Sequence, residues 1–303
     1  MQMEQTLDGL AIQAAEAERR RTLWRTISNF VRRKPLGAFG GLIVVVFVVM
    51  AVFANLLAPY SFRETHLISA LKPPNREFLL GTDPLGRDML SRLVHGARVS
   101  MYVGLGVVVL SLAVSLTIGL SSGYVGGAYD LMVQRLVDTW MAFPGLVILL
   151  TVMALVGPGL FNVIIVLGIG TGISTSRIVR GATMEVRQNL YVEAARSLGA
   201  GHLRVMLQYL LPNIMAPLII LVTLTFGNAI LVEAALSFLG LGVPPPAPSR
   251  GGRLSGDART YMFDAPWLAL WPGVFITAAV FGFNTLGDAL RDILDPRLRG
   301  RGA

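Results

Sequence analysis

Five stretches of this chain contain no aspartate, glutamate, lysine or arginine: residues 35–62, 99–129, 139–176, 205–232 and 265–287. A bilayer core about 30 Å thick is crossed by roughly 20 helical residues. Each stretch is long enough for one crossing. Residues 139–176 are long enough for two, and Gly157-Pro158-Gly159 divides them. Six spans follow, at about 36–57, 100–122, 131–156, 160–176, 212–232 and 267–287. Pro144 falls inside the third and predicts a kink there. With 53% hydrophobic residues among 303, the chain reads as an all-α polytopic membrane protein.

The net charge of +8 fits membrane topology and gives no reason to expect a nucleic-acid partner. Lys and Arg number seventeen on the side holding the N-terminus and nine on the other, so both termini are expected in the cytosol. Residues 1–35 read as a cytosolic tail. Its Leu23, Trp24, Ile27, Phe30 and Val31 recur at helical spacing beside arginines, which predicts an interfacial helix lying on membrane lipid; residues 1–17 read as disordered. Residues 36–99 hold the first span, read as a retained anchor, and an outer segment. Residues 100–290 form a five-helix core that includes an inner loop at 177–212, and 291–303 are a basic cytosolic tail. The chain has no cysteine, so disulfides and thiolate metal sites are excluded.

That inner loop is the polar interruption of an otherwise apolar core. The stretch YVEAARSLGAGHLRVMLQYLLPN occupies positions 191–213. Residues 182–198 are good helix formers ending at Gly199, the residue type that most readily takes the left-handed turn past a helix C-terminus. Residues 200–211 predict a second helix, and Pro212 suits the first turn of the fifth span. Ala194 and Ala195 keep one face low, while Glu193 and Arg196, three apart, are placed to bridge or to pair across an interface. A solvated hairpin with no partner is the plain alternative.

The spacing is more specific than that. Glu193-Ala194-Ala195, then Gly199, then Leu211-Pro212 resembles the EAA loop of permease subunits from bacterial ATP-binding-cassette importers. Tyr209 departs from the isoleucine of that pattern. A second triad, Glu233-Ala234-Ala235, lacks the spacing: its next glycine is Gly240 and no Leu-Pro follows. It reads as the end of the fifth span, with Glu233 near the interface and a pathway role there the lesser alternative. LGTDPLGRDMLSR (80–92), VDTWMAFPGLV (137–147), ALSFLGLGVPPPAPS (235–249) and LGDALRDILDPR (286–297) are similar to the dipeptide, oligopeptide and nickel branch of these permeases, and to the subunit usually second in its pair.

The resemblance implies a type I importer permease fold with cytosolic coupling helices. Glu193, Ala194, Ala195, Arg196 and Gly199 would make the ATPase-coupling contact. It further implies a homologous second permease subunit, two ATPase subunits carrying ATP and Mg, and an extracytoplasmic substrate-binding protein, in the bacterial inner membrane. The implied cargo is di- or oligopeptides, with nickel chelates, glutathione and oligosaccharides as alternatives.

The chain's own chemistry agrees with a non-catalytic subunit. Its only lysines, Lys34 and Lys72, are each followed by proline, so no phosphate loop ending in Gly-Lys-Ser/Thr exists. His66, His95 and His202 are scattered, which speaks against a membrane metalloprotease. The sequence thus calls for no cofactor and no metal in this chain. Gly168, Gly170 and Gly172 lie inside a span, where close helix packing is the better account than a nucleotide loop. Asp83, Arg87, Asp88 and Arg92 predict a short amphipathic helix that folds over the outer mouth or meets a substrate-delivering protein, or else a solvated, locally ion-paired structural motif. A self-contained carrier or channel would be expected to place ionisable groups within its spans, and these spans hold almost none.

Overall fold

The computed structural model describes residues 31–32, 34–239, 241–242, 260–261 and 263–294. Eight helices carry the architecture: α1 (Pro35–Val52), α2 (Met89–Val125), α3 (Gly127–Met141), α4 (Gly145–Val156), α5 (Leu160–Arg187), α6 (Leu190–Ser197), α7 (Met215–Phe238) and α8 (Trp267–Leu294). Five helical stretches are long and apolar enough to cross a bilayer singly. The interfacial helix expected from Leu23, most of GLGVPPPAPSRGG and the tail from 295 lie outside the described residues.

The sixth crossing differs from the kinked helix expected over 131–156. It is two helices, α3 and α4, bent by 82°. Pro144 explains the break. Its ring disfavours a helical Phe143 and has no N–H to give, so α4 restarts with Pro144 as its N-cap at φ −57° and ψ 122°.

Helices α2 and α5 form the centre of the fold, and small residues bring them together. A methyl group on Gly119 would fall 2.5 Å from the Ser176 carbonyl oxygen, and one on Gly172 would fall 2.8 Å from that of Ser111. Ser111, Ser115 and Ser122 on α2 and Ser176 on α5 are buried along the same seam. Close backbone approach through small residues is how helices associate when lipid gives apolar side chains no reason to leave it. The Gly168–Gly172 cluster is therefore a packing feature, as expected. Gly106 lies beside Ile164 and Gly123 beside Thr183, so α2 and α5 run parallel. The α3–α4 pair must then carry the chain back across the membrane between them.

A second layer joins α1, α7 and α8 to α2 through Phe47, Ala97, Phe226, Ile230 and Phe283, with Phe226 and Phe283 stacked at 4.1 Å. Arg98 fixes the end of α1 by donating from Nε to the Ala51 carbonyl at 2.8 Å and from its terminal nitrogen to that of Val52 at 3.1 Å. These are orphan carbonyls of a helix end, which a basic side chain satisfies well.

The outer segment does not form the expected amphipathic helix. It folds as turns over the start of α2, with Phe78 buried and the Trp267 indole donating to the Thr82 carbonyl at 3.2 Å. Asp83 is buried and accepts from the Arg87 Nε at 2.6 Å and from two backbone N–H groups at 2.9 Å. Asp88 caps α2, accepting the Ser91 N–H at 2.7 Å. The four charged residues form a locally ion-paired motif, but Asp83, Asp88 and Arg92 are buried where the sequence reading had them solvated. Gly86 is obligatory here: its φ is +73°, and a Cβ would lie 1.9 Å from the His66 carbonyl oxygen.

Candidate functional site

The inner loop starts later than the charge pattern placed it. Helix α5 continues past Ser176 to Arg187. The single helix expected over 182–198 is divided at Gln188 and Asn189. Asn189 takes an extended conformation, φ −74° and ψ 142°, and its carbonyl accepts the Val192 N–H at 2.9 Å. Asparagine is among the residues best suited to starting a helix this way. The result is an isolated eight-residue helix, α6, set off from both neighbouring spans.

Gly199 ends α6 with φ +82°. Its N–H bonds the Arg196 carbonyl at 2.9 Å, and the Ala200 N–H bonds that of Ala195 at 3.0 Å. This paired closure requires a left-handed residue. Space is not the reason for glycine, because a Cβ there would meet nothing within 4 Å. The returning segment is helical, as predicted, but less regular than a single α-helix. It begins at His202–Arg204, widens into π-type turns at Val205–Leu210, and tightens at Leu211–Ile214 around Pro212.

The five residues singled out from sequence divide by face. Val192 is buried in a cluster with Leu120, Tyr124, Val179, Val205 and Leu210, and Ala195 is buried as well. Glu193, Ala194, Arg196 and Gly199 are on the exposed side. Of the two readings of Glu193 and Arg196, the bridge between them is not formed among the described residues. Arg196 instead places its guanidinium 4.6 Å from the centre of the Tyr124 ring. The Tyr124 hydroxyl in turn lies 2.8 Å from the His202 Nδ1.

Tyr124, buried near the C-terminal end of α2, is thus gripped by α6 on one side and by the returning segment on the other. Sequence reading missed this residue, because 72 and 78 positions separate it from its two partners. Nothing local marks it.

Beneath the loop, the Arg180 guanidinium donates to both oxygens of Asp130, at 2.6 and 2.5 Å. Ser122 donates to the same carboxylate at 2.6 Å, and Gln134 to Ser122 at 3.1 Å. Arg177, about one turn before Arg180 on α5, pairs with Asp138, about two turns after Asp130 on α3. Helices α2, α3 and α5 are therefore cross-linked, and the bidentate arginine–carboxylate contact fixes geometry as well as distance.

Beside the exposed Glu193 and Arg196, the loop exposes three leucines. Leu190 is 82% exposed, Leu198 88% and Leu203 65%. Burying one such side chain fully contributes about 1.5–3 kcal/mol. The second triad is a different environment. Glu233 lies five residues before the end of α7, is only 1% exposed, and accepts the Ser237 hydroxyl at 2.7 Å. Among the described residues no three His, Asp or Glu side chains converge where a metal ion could sit.

Comparison with known proteins places this arrangement. Residues 115–300 match the family described as binding-protein-dependent transport system inner membrane component, and residues 22–74 match the N-terminal transmembrane domain of oligopeptide transport permease C. The chain is 44% identical over 270 residues to a di/tripeptide transport system permease of Pseudomonas aeruginosa, covering 87% of this chain and 89% of the relative. It is 38% identical to the oligopeptide transport permease of Bacillus subtilis, covering 92% and 91%. It is 36% identical to a glutathione transport permease of Escherichia coli, covering 92% of each.

Proposed function

The chain belongs to the family of binding-protein-dependent transport inner-membrane components, and on that premise we propose that it forms half of the passage of an ATP-driven importer of small peptides. A homologous second permease subunit supplies the other half. Two ATPase subunits carry ATP and Mg, and an extracytoplasmic binding protein delivers the peptide. Both termini lie in the cytosol, which puts α6 there too.

The observation that carries this reading is α6 itself: a short helix isolated by Asn189 and Gly199, anchored inward by Val192 and Ala195, and presenting Leu190, Leu198 and Glu193 outward. A groove on an ATPase subunit receives that outward face. When the ATPase pair closes on nucleotide, α6 moves with it. Tyr124 and the Asp130–Arg180 contact hand the motion to α2, α3 and α5, and the passage alternates between its two openings. The energy comes from the partner subunits; this chain converts their motion into access. Di- and oligopeptides fit the relatives' named cargo. Glutathione, itself a peptide, is kept as a second reading by the relationship to the glutathione permease.

Copurification tests the assembly. An affinity-tagged chain should bring down a second permease and two ATPase subunits from native membranes. Glu193→Lys should leave insertion intact and lower ATP-dependent dipeptide uptake at least tenfold. Uptake by this chain alone in liposomes, without ATP, would sink the proposal in favour of a self-contained carrier.

A further inference from the structure

A cavity of about 380 Å³ lies between the α3–α4 elbow, α5 and α7. That is within the ~300–1,000 Å³ range of small-molecule sites. Its polar wall is made by Thr171, Ser174 and Thr175 of α5 and Asn228 of α7, with Trp140 at the elbow. No charged side chain lines it. Thr171 stands about 17 Å along α5 from Leu160, and Asn228 about 15 Å from the Phe238 end of α7, at 1.5 Å per residue. Both therefore sit deep within the membrane-spanning part.

Two independent features show that this face does not meet lipid. Asn228 is exposed on α7, among buried apolar neighbours, and its amide has no hydrogen-bond partner among the described residues. An unsatisfied amide facing hydrocarbon is strongly disfavoured. The elbow at 142–144 is also exposed, and its backbone is not helical. Irregular backbone at membrane depth is tolerated only where protein buries it or where it lines a water-filled cavity.

We infer that this cavity is this chain's wall of the peptide passage, and that it contacts peptides only through neutral groups. This rests on the importer reading above and adds the residues and their chemistry. Hydroxyl and amide side chains both donate and accept, so they match the N–H and C=O groups that every peptide has. The Ser174 and Thr175 hydroxyls donate to the Gly170 and Thr171 carbonyls at 3.1 and 2.9 Å, leaving their oxygens free to accept. With no ion pair available, neither a charged terminus nor a charged side chain is held in transit. Peptides of either charge then pass without being trapped.

The chain has no cysteine, so a single introduced thiol is unique within it. The assembled transporter, in membranes with reagent on both faces, is treated with a hydrophilic methanethiosulfonate. Modification is read by mass on this chain. Thr175→Cys and Asn228→Cys should react, and reaction should lower each variant's own ATP-dependent uptake of a labelled dipeptide at least tenfold. Val109→Cys, on the exposed apolar face of α2, should not react. Thiols at 175 and 228 that stay unreactive with and without ATP would overturn the inference and assign the face to contact with the second permease. Complete modification with unchanged uptake would overturn it too. Asn228→Asp should also change the uptake ratio of a basic to an acidic dipeptide severalfold, and an unchanged ratio contradicts the neutral lining. ATP-dependent uptake by the parent transporter tests the underlying reading separately.

Discussion

The chain contains the tripeptide Glu-Ala-Ala twice, at 193–195 and at 233–235. At the first, the glutamate is exposed on an eight-residue helix between two breaks. At the second, it is buried in a 24-residue apolar helix and bonded to Ser237 one turn on. The triad itself does not distinguish them. Asn189 and Gly199 bracket the first and free it from the spans, whereas no comparable break isolates the second within α7. The burial around them differs too: Val192 seats α6 in the cluster of Tyr124 and Val179, while Ala234 is buried within the apolar helix α7. A surface offered to a partner is thus made by where the chain is interrupted, more than by which residues it then displays.

The sharpest way to break this comparison is to make the same change twice. Glu233→Lys buries an ammonium where a hydrogen-bonded carboxyl group was, and taking a charge out of water costs several kcal/mol when no opposite charge compensates it. The variant should accumulate poorly in membranes, whereas Glu193→Lys should accumulate normally and fail in uptake. Equal accumulation of the two would erase the distinction. Next in size, Leu190→Ala with Leu198→Ala removes side chains worth about 1.5–3 kcal/mol each once buried. ATPase recovery in copurification should drop severalfold, with no change in the thermal stability of the isolated chain.

Smaller effects test the grip on Tyr124. Tyr124→Leu loses the guanidinium–ring contact and the bond to His202, together about 1–3 kcal/mol. It should lower uptake while ATP hydrolysis continues. Tyr124→Phe keeps the ring and should lose about 1 kcal/mol or less. If Phe is as damaging as Leu, the hydrogen bond matters and the stacking does not. Smallest is Gly199→Asn, since asparagine tolerates a left-handed backbone better than other residues with a Cβ. Uptake should fall less than in Gly199→Val, where the strain is about 1–2 kcal/mol.

The spans were legible because a charge in mid-bilayer is costly, so uncharged runs mark where lipid must be. The same signal marks the bilayer and not the helix. Helix α2 therefore begins at Met89 rather than near 100, and α5 ends at Arg187 rather than 176, since arginine is a good helix former in water. Pro144 announced a disturbance, but not that it would be an 82° elbow beside a cavity. Gly199 was readable because its role is a backbone angle, which residue type reports directly. Tyr124, Arg180 and Asn228 were not, because their roles depend on residues brought near only by the parallel packing of α2 and α5 and by the return of the chain through the elbow.

The central claim is that α6 transmits the ATPase motion to the passage. It is tested most directly by measuring ATP hydrolysis and dipeptide uptake in the same proteoliposomes, with the complete importer carrying either the parent chain or Gly199→Asp. The account predicts that the variant inserts and assembles, that hydrolysis persists, and that peptide moved per ATP falls at least tenfold. An assembled Gly199→Asp transporter that moves as much peptide per ATP as the parent would contradict it.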